Sequence, residues 1–294
     1  MLETMIDRRL LLAGGGLGLG LGLWQIRGLA AEAAGYDAAT DFALSGQLTQ
    51  GGWARGKAPA STRALSFGRR PVLIAPDRSF FIAFDRDAPG RAELLAELAD
   101  GTATRGVLNI APRAWKIERI PIGPRPGSPL SAEYARRREG ETTQINAARR
   151  IDHNSEGWRQ KFIWPVYGRI SGRFGSQRIY NGTPGSYHSG MDIATGASGT
   201  PFVAPADGIV TLAAASSFSL EGRLLMIDHG MGLNSAFLHC SAHAVKVGDM
   251  VCQGQFIGRI GATGRATGPH LHWSVKWRDA RLDPLLFVGA LPGR

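Results

Sequence analysis

The segment Pro269-His270-Leu271-His272-Trp273-Ser274-Val275-Lys276-Trp277 alternates strictly along the chain. Leu271, Trp273, Val275 and Trp277 share one face and His270, His272, Ser274 and Lys276 the other, which is the period of a half-buried β-strand. Imidazoles two residues apart on one face lie about 6.5 to 7 Å from each other, a spacing that suits one metal ligand and one neighbour acting beside the metal. A second segment, Tyr187-His188-Ser189-Gly190-Met191-Asp192-Ile193, carries a histidine and an aspartate four apart, which meet on one face of a helix or a strand. Gly190 between them and Thr195-Gly196 after them favour extended backbone. Alone, His-x-x-x-Asp is an ordinary strand end or turn. Joined to one imidazole of the 270–272 strand, it supplies three protein ligands and leaves the fourth tetrahedral position of Zn²⁺ open for water, the arrangement of a catalytic site.

Further motifs stand in order around these two. They are Val203-Ala204-Pro205-Ala206-Asp207-Gly208, Phe237-Leu238-His239, Val247-Gly248-Asp249, Gly261-Ala262-Thr263-Gly264 and Gly268-Pro269-His270-Leu271-His272. With His188-x-x-x-Asp192, they resemble the lysostaphin/LytM-type zinc metalloendopeptidases, which cut peptide bridges of bacterial peptidoglycan, over about residues 162–287. The resemblance implies a compact antiparallel β domain with an open groove and one Zn²⁺ per chain. It implies that His188, Asp192 and His272 hold the metal and that His239 and His270 form the catalytic pair. Cys240 stands where the family often has Leu, and a buried Cys packs there as a small hydrophobe. In such a site the metal lowers the pKa of a water from about 15.7 towards 7, one imidazole moves the proton, and another donates to the oxyanion. The sequence leaves open which histidine does which.

The elements that must position these residues are short strands. Forty glycines and 16 prolines in 294 residues favour turns over a helical bundle. From Asp41 to about Ile122, Phe67-Gly68-Arg69-Arg70-Pro71-Val72 reads as a tight hairpin, followed by strands at Val72-Leu73-Ile74 and Phe80 to Phe84. Ala92 to Leu98 has helical composition, but Asp100-Gly101 and the run Val107-Leu108-Asn109-Ile110 predict two arms of a second hairpin. This stretch gathers no His, Cys or paired carboxylates and reads as a binding, positioning or shielding module, long enough to fold back over the groove. Ile122 to Pro129 reads as a linker, Ser131 to Ile151 as a basic, mostly exposed helix with a weak point at Gly140, and Asn154 to Gly157 as a second linker. The loop from Ser176 to Tyr187, with Tyr180 and Asn181, leads into His188 and is expected to line the groove. His153, His229 and His243 are read as bystanders.

The expected organisation is an export signal at 1–33, an N-terminal β accessory domain at 34–122, a linker with a basic helix at 123–161 and a zinc metallopeptidase domain at 162–294. The fold class is therefore mainly β. The signal rests on Arg8-Arg9, fourteen residues of Leu, Ala and Gly from Leu10 to Leu23, and an Ala31-Glu32-Ala33 cleavage site. That apolar run falls short of the ~20 residues of a membrane span, and the paired arginines resemble a twin-arginine signal. The protein is thus expected in the periplasm with no stable membrane span after cleavage. The net charge of +10 is regional: 15 Lys+Arg against six Asp+Glu between Ala103 and Tyr180 supply +9 of it. No nucleic-acid motif accompanies it, and in an exported protein the fitting partner is the anionic envelope, peptidoglycan included. The alternative reading is a non-catalytic module that binds peptidoglycan or activates a separate hydrolase. Cys240 and Cys252 could bridge or stay free.

Overall fold

The computed structural model describes residues 41–121 and 131–291. The export-signal reading and the linker at Ile122 to Pro129 lie outside the described residues. Within them no helix is long and apolar enough to cross a membrane.

The N-terminal stretch folds as two small sheets. Strands β1 (Ser45–Gly46), β2 (Trp53–Lys57) and β5 (Ser79–Ala83) form one; β3 (Thr62–Phe67), β4 (Arg70–Val72), β6 (Arg91–Leu98) and β7 (Ala103–Asn109) form the other, in the order β4-β3-β6-β7. The 67–72 hairpin forms with Phe67 opposite Arg70, closed by Gly68 in the left-handed region at φ 58°. The strand from Val72 ends at once, so Leu73 and Ile74 lie in the connection to β5. Ala92 to Leu98 is strand, as the Asp-Gly turn predicts. Gly101 has φ 85°, and Asp100 accepts from the Thr102 N–H at 2.9 Å and hydroxyl at 2.6 Å. Alternation then buries Leu94 and Ala96, and this tertiary burial outweighs the helical propensity of Ala, Glu and Leu.

The chain continues through β8 (Ile117–Ile120) and helix α1 (Ala132–Arg150). The Ser131 hydroxyl caps α1 by accepting the Tyr134 N–H. Most of α1 is exposed, with Glu141, Ile145 and Ala148 buried. Ile145 and Ala148 pack on Leu224, Met226 and Ala236. Glu141 accepts from Arg137, Arg138 and both the N–H and hydroxyl of Ser219, so its charge is compensated where it is buried.

The C-terminal strands are β9 (Arg169–Gly172), β10 (Gln177–Tyr180), β11 (Thr183–Pro184), β12 (Met191–Ala194), β13 (Pro201–Val203), β14 (Gly208–Ala213), β15 (Arg223–Asp228), β16 (Leu233–Cys240), β17 (Ala242–His243), β18 (Met250–Val251), β19 (Phe256–Arg259), β20 (Leu271–Trp277) and β21 (Ala280–Leu282), followed by helix α2 (Leu285–Val288). The main sheet runs β18-β14-β15-β16-β20-β12-β9, with β21 on β20. A smaller sheet orders β13-β19-β17, and a third joins β11-β10 to β8, whose pairing with β10 is parallel.

One apolar cluster unites the N-terminal and C-terminal strands. Trp53 stacks on Phe81 at 6.0 Å and meets Phe287 at 5.4 Å, while Trp277 closes on Phe67 and Phe81, each at 6.4 Å. Arg55 of β2 donates to the carbonyls of Trp158 and Gln160 at 2.7 and 2.6 Å. Of these aromatics, Phe81, Trp277 and Phe287 are buried, and fully burying such a side chain contributes roughly 1.5–3 kcal/mol. The stretch expected as a linker at 154–157 is tied down at its end: a Cβ on the buried Gly157 would lie 1.9 Å from the Asp207 carbonyl oxygen, and the following Trp158 is 1% exposed.

Candidate metal centre and active site

Register places the central carboxylate. Strand β12 lies between β20 and β9, with Asp192 directly opposite His272 on one side and Gly172 on the other. Cross-strand partners bring their side chains together, so the Asp192 and His272 pair follows from pairing alone. His188 enters from the loop before β12, where its N–H donates to the Ser176 carbonyl at 2.8 Å and its carbonyl accepts the Gly175 N–H at 2.9 Å. Two glycines make room. A Cβ on Gly172 would sit 2.3 Å from Asp192 Oδ2, and one on Gly190 would sit 2.6 Å from His272 Nε2.

The result is a convergent donor set. His188 Nε2 lies 3.1 Å and His272 Nδ1 2.8 Å from Asp192 Oδ1, and the donor atoms of all three lie within 4.8 Å of one another. Bonds of about 2.0–2.1 Å to a tetrahedral ion separate ligand atoms by about 3.3 Å, so two imidazoles and one carboxylate fit a three-ligand centre with an open position. His188 Nδ1 faces the Arg173 carbonyl at 3.2 Å. A carbonyl only accepts, so Nδ1 carries a proton, and Nε2, which faces Asp192, is the nitrogen that would bind a metal once it gives up its own proton. Burial alone would raise the Asp192 carboxyl, but hydrogen bonds from His188 and His272 outweigh it and hold the group well below the usual carboxylate range. Burial lowers His272, whereas at His188 the Asp192 carboxylate overcomes the burial effect and raises the imidazole.

His239 and His270 stand beside this set, their ring centroids 4.9 Å apart. His239 ends β16 in the left-handed region at φ 64°, uncommon for a non-glycine residue. Its N–H donates to the Glu221 carbonyl and its Nδ1 to the Thr263 carbonyl, both at 2.8 Å. His270 Nδ1 donates to the Gly268 carbonyl at 2.8 Å, and its Nε2 lies 3.8 Å from Asp192 Oδ1. Both rings therefore present Nε2 as a lone pair when neutral. Burial lowers the pKa of His239, which favours its neutral form.

All five residues singled out by sequence are thus neighbours. The strand carrying His272 is buried on both faces rather than half-buried, with His272 and Ser274 only 9% and 7% exposed, because β20 runs through the middle of the sheet. His229 is a core residue, fully buried between the Asp207 carbonyl and the Ser235 hydroxyl. His153 and His243 lie on the linker and on β17. Both cysteines are free, Cys240 buried and Cys252 exposed. Tyr180 and Asn181 sit at the turn between β10 and β11, and β8 pairs along β10.

Sequence reasoning missed the residues that brace the loops. Arg86, 6% exposed, donates twice to the Gly175 carbonyl at 3.1 and 3.3 Å and once to Gln177 Oε1 at 3.1 Å. Its guanidinium lies between the rings of Trp115 at 5.2 Å and Tyr187 at 4.6 Å. On the opposite side, Arg138 of α1 makes a bidentate pair with Glu221, both bonds 2.6 Å. Nothing local in the sequence signals either contact, since the partners are 83 to 91 residues apart.

Similarity to known proteins agrees with this geometry. The profile of peptidase family M23 matches residues 186–284. The chain is 34% identical over 142 residues to the peptidoglycan DD-endopeptidase ShyC of Vibrio cholerae, covering 47% of this chain and 32% of that protein. It is 36% identical over 120 residues to the DD-carboxypeptidase/endopeptidase Mpg of Neisseria meningitidis, covering 41% of this chain and 27% of that protein. The chain thus spans about a third or less of the length of these curated relatives. A crystal structure of a protein described as a peptidase M23 from Pseudomonas aeruginosa superposes with a TM-score of 0.64 at 30% identity, covering 83% of this chain and 96% of that one. By that likeness over 83% of its length, together with the profile match over its histidine segment, the chain belongs to peptidase family M23.

Proposed function

We propose that the protein is a zinc-dependent endopeptidase of the bacterial cell envelope that hydrolyses peptide cross-links of peptidoglycan. The observation that carries this reading is the convergence of His188 Nε2, Asp192 Oδ1 and His272 Nδ1 beside the His239 and His270 pair. In this reading the first three hold one Zn²⁺ per chain and the last two are catalytic. The names of the curated relatives support peptidoglycan as substrate. An exported, periplasmic location fits both that substrate and the basic surface.

A bound zinc ion would supply a Lewis acid for the scissile carbonyl and would acidify the attacking water. The protein supplies the rest. One neutral imidazole of the pair accepts the water's proton at Nε2 as oxygen bonds to the carbonyl carbon, then delivers that proton to the nitrogen as the C–N bond breaks. The other, when protonated, donates from Nε2 to the developing oxyanion. The carbonyls of Thr263 and Gly268 hold both rings in the tautomer this requires. The triad side chains retain 25%, 21% and 11% exposure at His188, Asp192 and His272, so a peptide can reach them.

The test separates metal binding from chemistry. Zinc content and cleavage of purified sacculi are measured for His270→Ala and His188→Ala. His270→Ala should keep zinc and lose cleavage, and His188→Ala should lose both. Full cleavage by either variant, or zinc loss in both, would overturn the assignment.

A further inference from the structure

The sheet face that carries His272 continues away from the triad. Alternation puts His272, Ser274 and Lys276 on one side of β20, so Lys276 lies four residues, about 13 Å, along the strand from His272. Arg281 of β21 is the direct cross-strand partner of Lys276. Like charges in directly opposite positions are only about 4.5–5.5 Å apart at Cβ, and the arrangement is destabilising by itself. A third cation comes from α1. Ala148 lies in the buried cluster that includes Met226 of β15 and Ala236 of β16, and the next residue, Arg149, is near enough for its charge to act on Lys276 and for that of Arg281 to act on it. Burial first, then the charges of Arg149 and Arg281, push the Lys276 ammonium down to about 8.

These three cations have no carboxylate partner at ion-pair distance among the described residues. The nearby acidic groups Asp85 and Asp279 offset part of this charge without forming an ion pair with any of the three. Asp85 accepts the backbone N–H of Arg281 at 2.9 Å, Asp279 pairs with Arg70 at 3.6 Å, and Glu221 is held bidentately by Arg138. The Arg281 guanidinium meets only a neutral group, the Tyr187 hydroxyl at 3.2 Å. Arg149 Nε is buried with no hydrogen-bond partner. A buried donor without an acceptor is a cost that natural structures seldom carry without a reason.

We propose that Lys276, Arg281 and Arg149 form a carboxylate-binding subsite that takes an acidic group of the peptide substrate about 13 Å from the His188, Asp192 and His272 triad. The inference rests on the peptidase reading for the identity of its ligand, and on the cation cluster alone for the chemistry of recognition. An extended peptide advances about 3.3–3.6 Å per residue, and Ser274 between the two sites is only 7% exposed, so a chain that rises over it needs at least about four residues between the bond cut and the carboxylate. A terminal carboxylate and a glutamyl side chain carry the same chemistry. A planar carboxylate can take two N–H bonds from a guanidinium and one from the ammonium.

Three fluorescein-labelled peptides test it: one with a free C-terminal carboxylate at that spacing, its C-terminal amide, and an amide with glutamate in the last position. Anisotropy gives Kd for the chelator-treated full chain, so the readout does not depend on cleavage. The free acid or the glutamyl peptide should bind about tenfold more tightly than the plain amide, about 1.4 kcal/mol, and whichever does so identifies the source. Lys276→Gln should abolish the preference, Lys276→Arg should keep it, and Lys57→Gln on β2 should not change it, which excludes general attraction to a +10 protein. Arg149→Gln on the helix gives the same comparison should Lys276→Gln fail to fold. Equal Kd for all three peptides, or a preference that survives both Gln variants, overturns the subsite. Absence of zinc-dependent cleavage of any peptide, with the anisotropy preference intact, overturns the peptidase reading instead.

Discussion

Substituting Gly172 by alanine should disable the metal centre while leaving the fold intact. Gly172 is outside the left-handed region, so alanine can adopt its backbone conformation. The added methyl would lie 2.3 Å from Asp192 Oδ2 and 3.1 Å from His188 Cε1. Ordinary contact begins near 3.4 Å, so the carboxylate must retreat by about 1 Å. It cannot do so freely, because its other oxygen is held at 3.1 and 2.8 Å by His188 and His272. Ligand positions tolerate only about 0.2 Å, and even disturbing a group that supports a ligand costs 10- to 100-fold in metal affinity. Gly172→Ala should therefore weaken zinc binding at least about tenfold and cut cleavage on the order of 100-fold. Overpacking costs about 1–3 kcal/mol, leaving melting within several degrees of wild type. Zinc affinity is read by competition with a chromophoric chelator, and folding by circular dichroism. Wild-type zinc affinity in a folded Gly172→Ala protein would refute the reasoning.

Three further outcomes are expected. Arg86→Met removes the donors to the Gly175 carbonyl and should loosen the loop that carries His188, weakening zinc binding about tenfold; chelator competition checks this, and unchanged affinity counts against the brace. Gly140 of α1 has open space where a Cβ would go, so Gly140→Ala should stabilise the protein by about 0.5–1 kcal/mol and raise melting by about 1–4 °C. Burial pushes Asp228 up to about 6 and His229 down to about 4. The folded state holds a proton on Asp228 that the unfolded state releases, so this group makes stability fall as pH rises from about 4 to 6. The neutral folded His229 does the reverse, favouring stability as pH rises from about 4 to 6.5. The two offset each other, so Asp228→Asn should lose stability relative to wild type as pH drops from 6 to 4, measured by denaturant melts at each pH.

The candidate site was legible because its signals are local. Alternation in 269–277 orients His270 and His272, and Gly190 and Thr195-Gly196 mark the His188 to Asp192 stretch as extended. Capping by Ser131 and turn formation at Asp100-Gly101 are likewise short-range. What was not legible depends on contacts between distant segments. The apolar face of Trp53 and Phe81 announces burial without saying that Phe287 and Trp277 cover it. Arg86 lies in a stretch that gathers no chemistry of its own, yet it braces the His188 loop from 89 residues away. The basic helix read as a solvated connector is also the scaffold that holds Glu221, whose carbonyl anchors His239.

The most direct test of the central claim is muropeptide release from purified sacculi by the wild-type protein, followed by mass spectrometry with and without chelator. Release of cross-link cleavage products should stop on chelation, return with added zinc, and be absent for His270→Ala at unchanged zinc content. Release that continues without metal, or no release by a zinc-loaded protein, would contradict that claim.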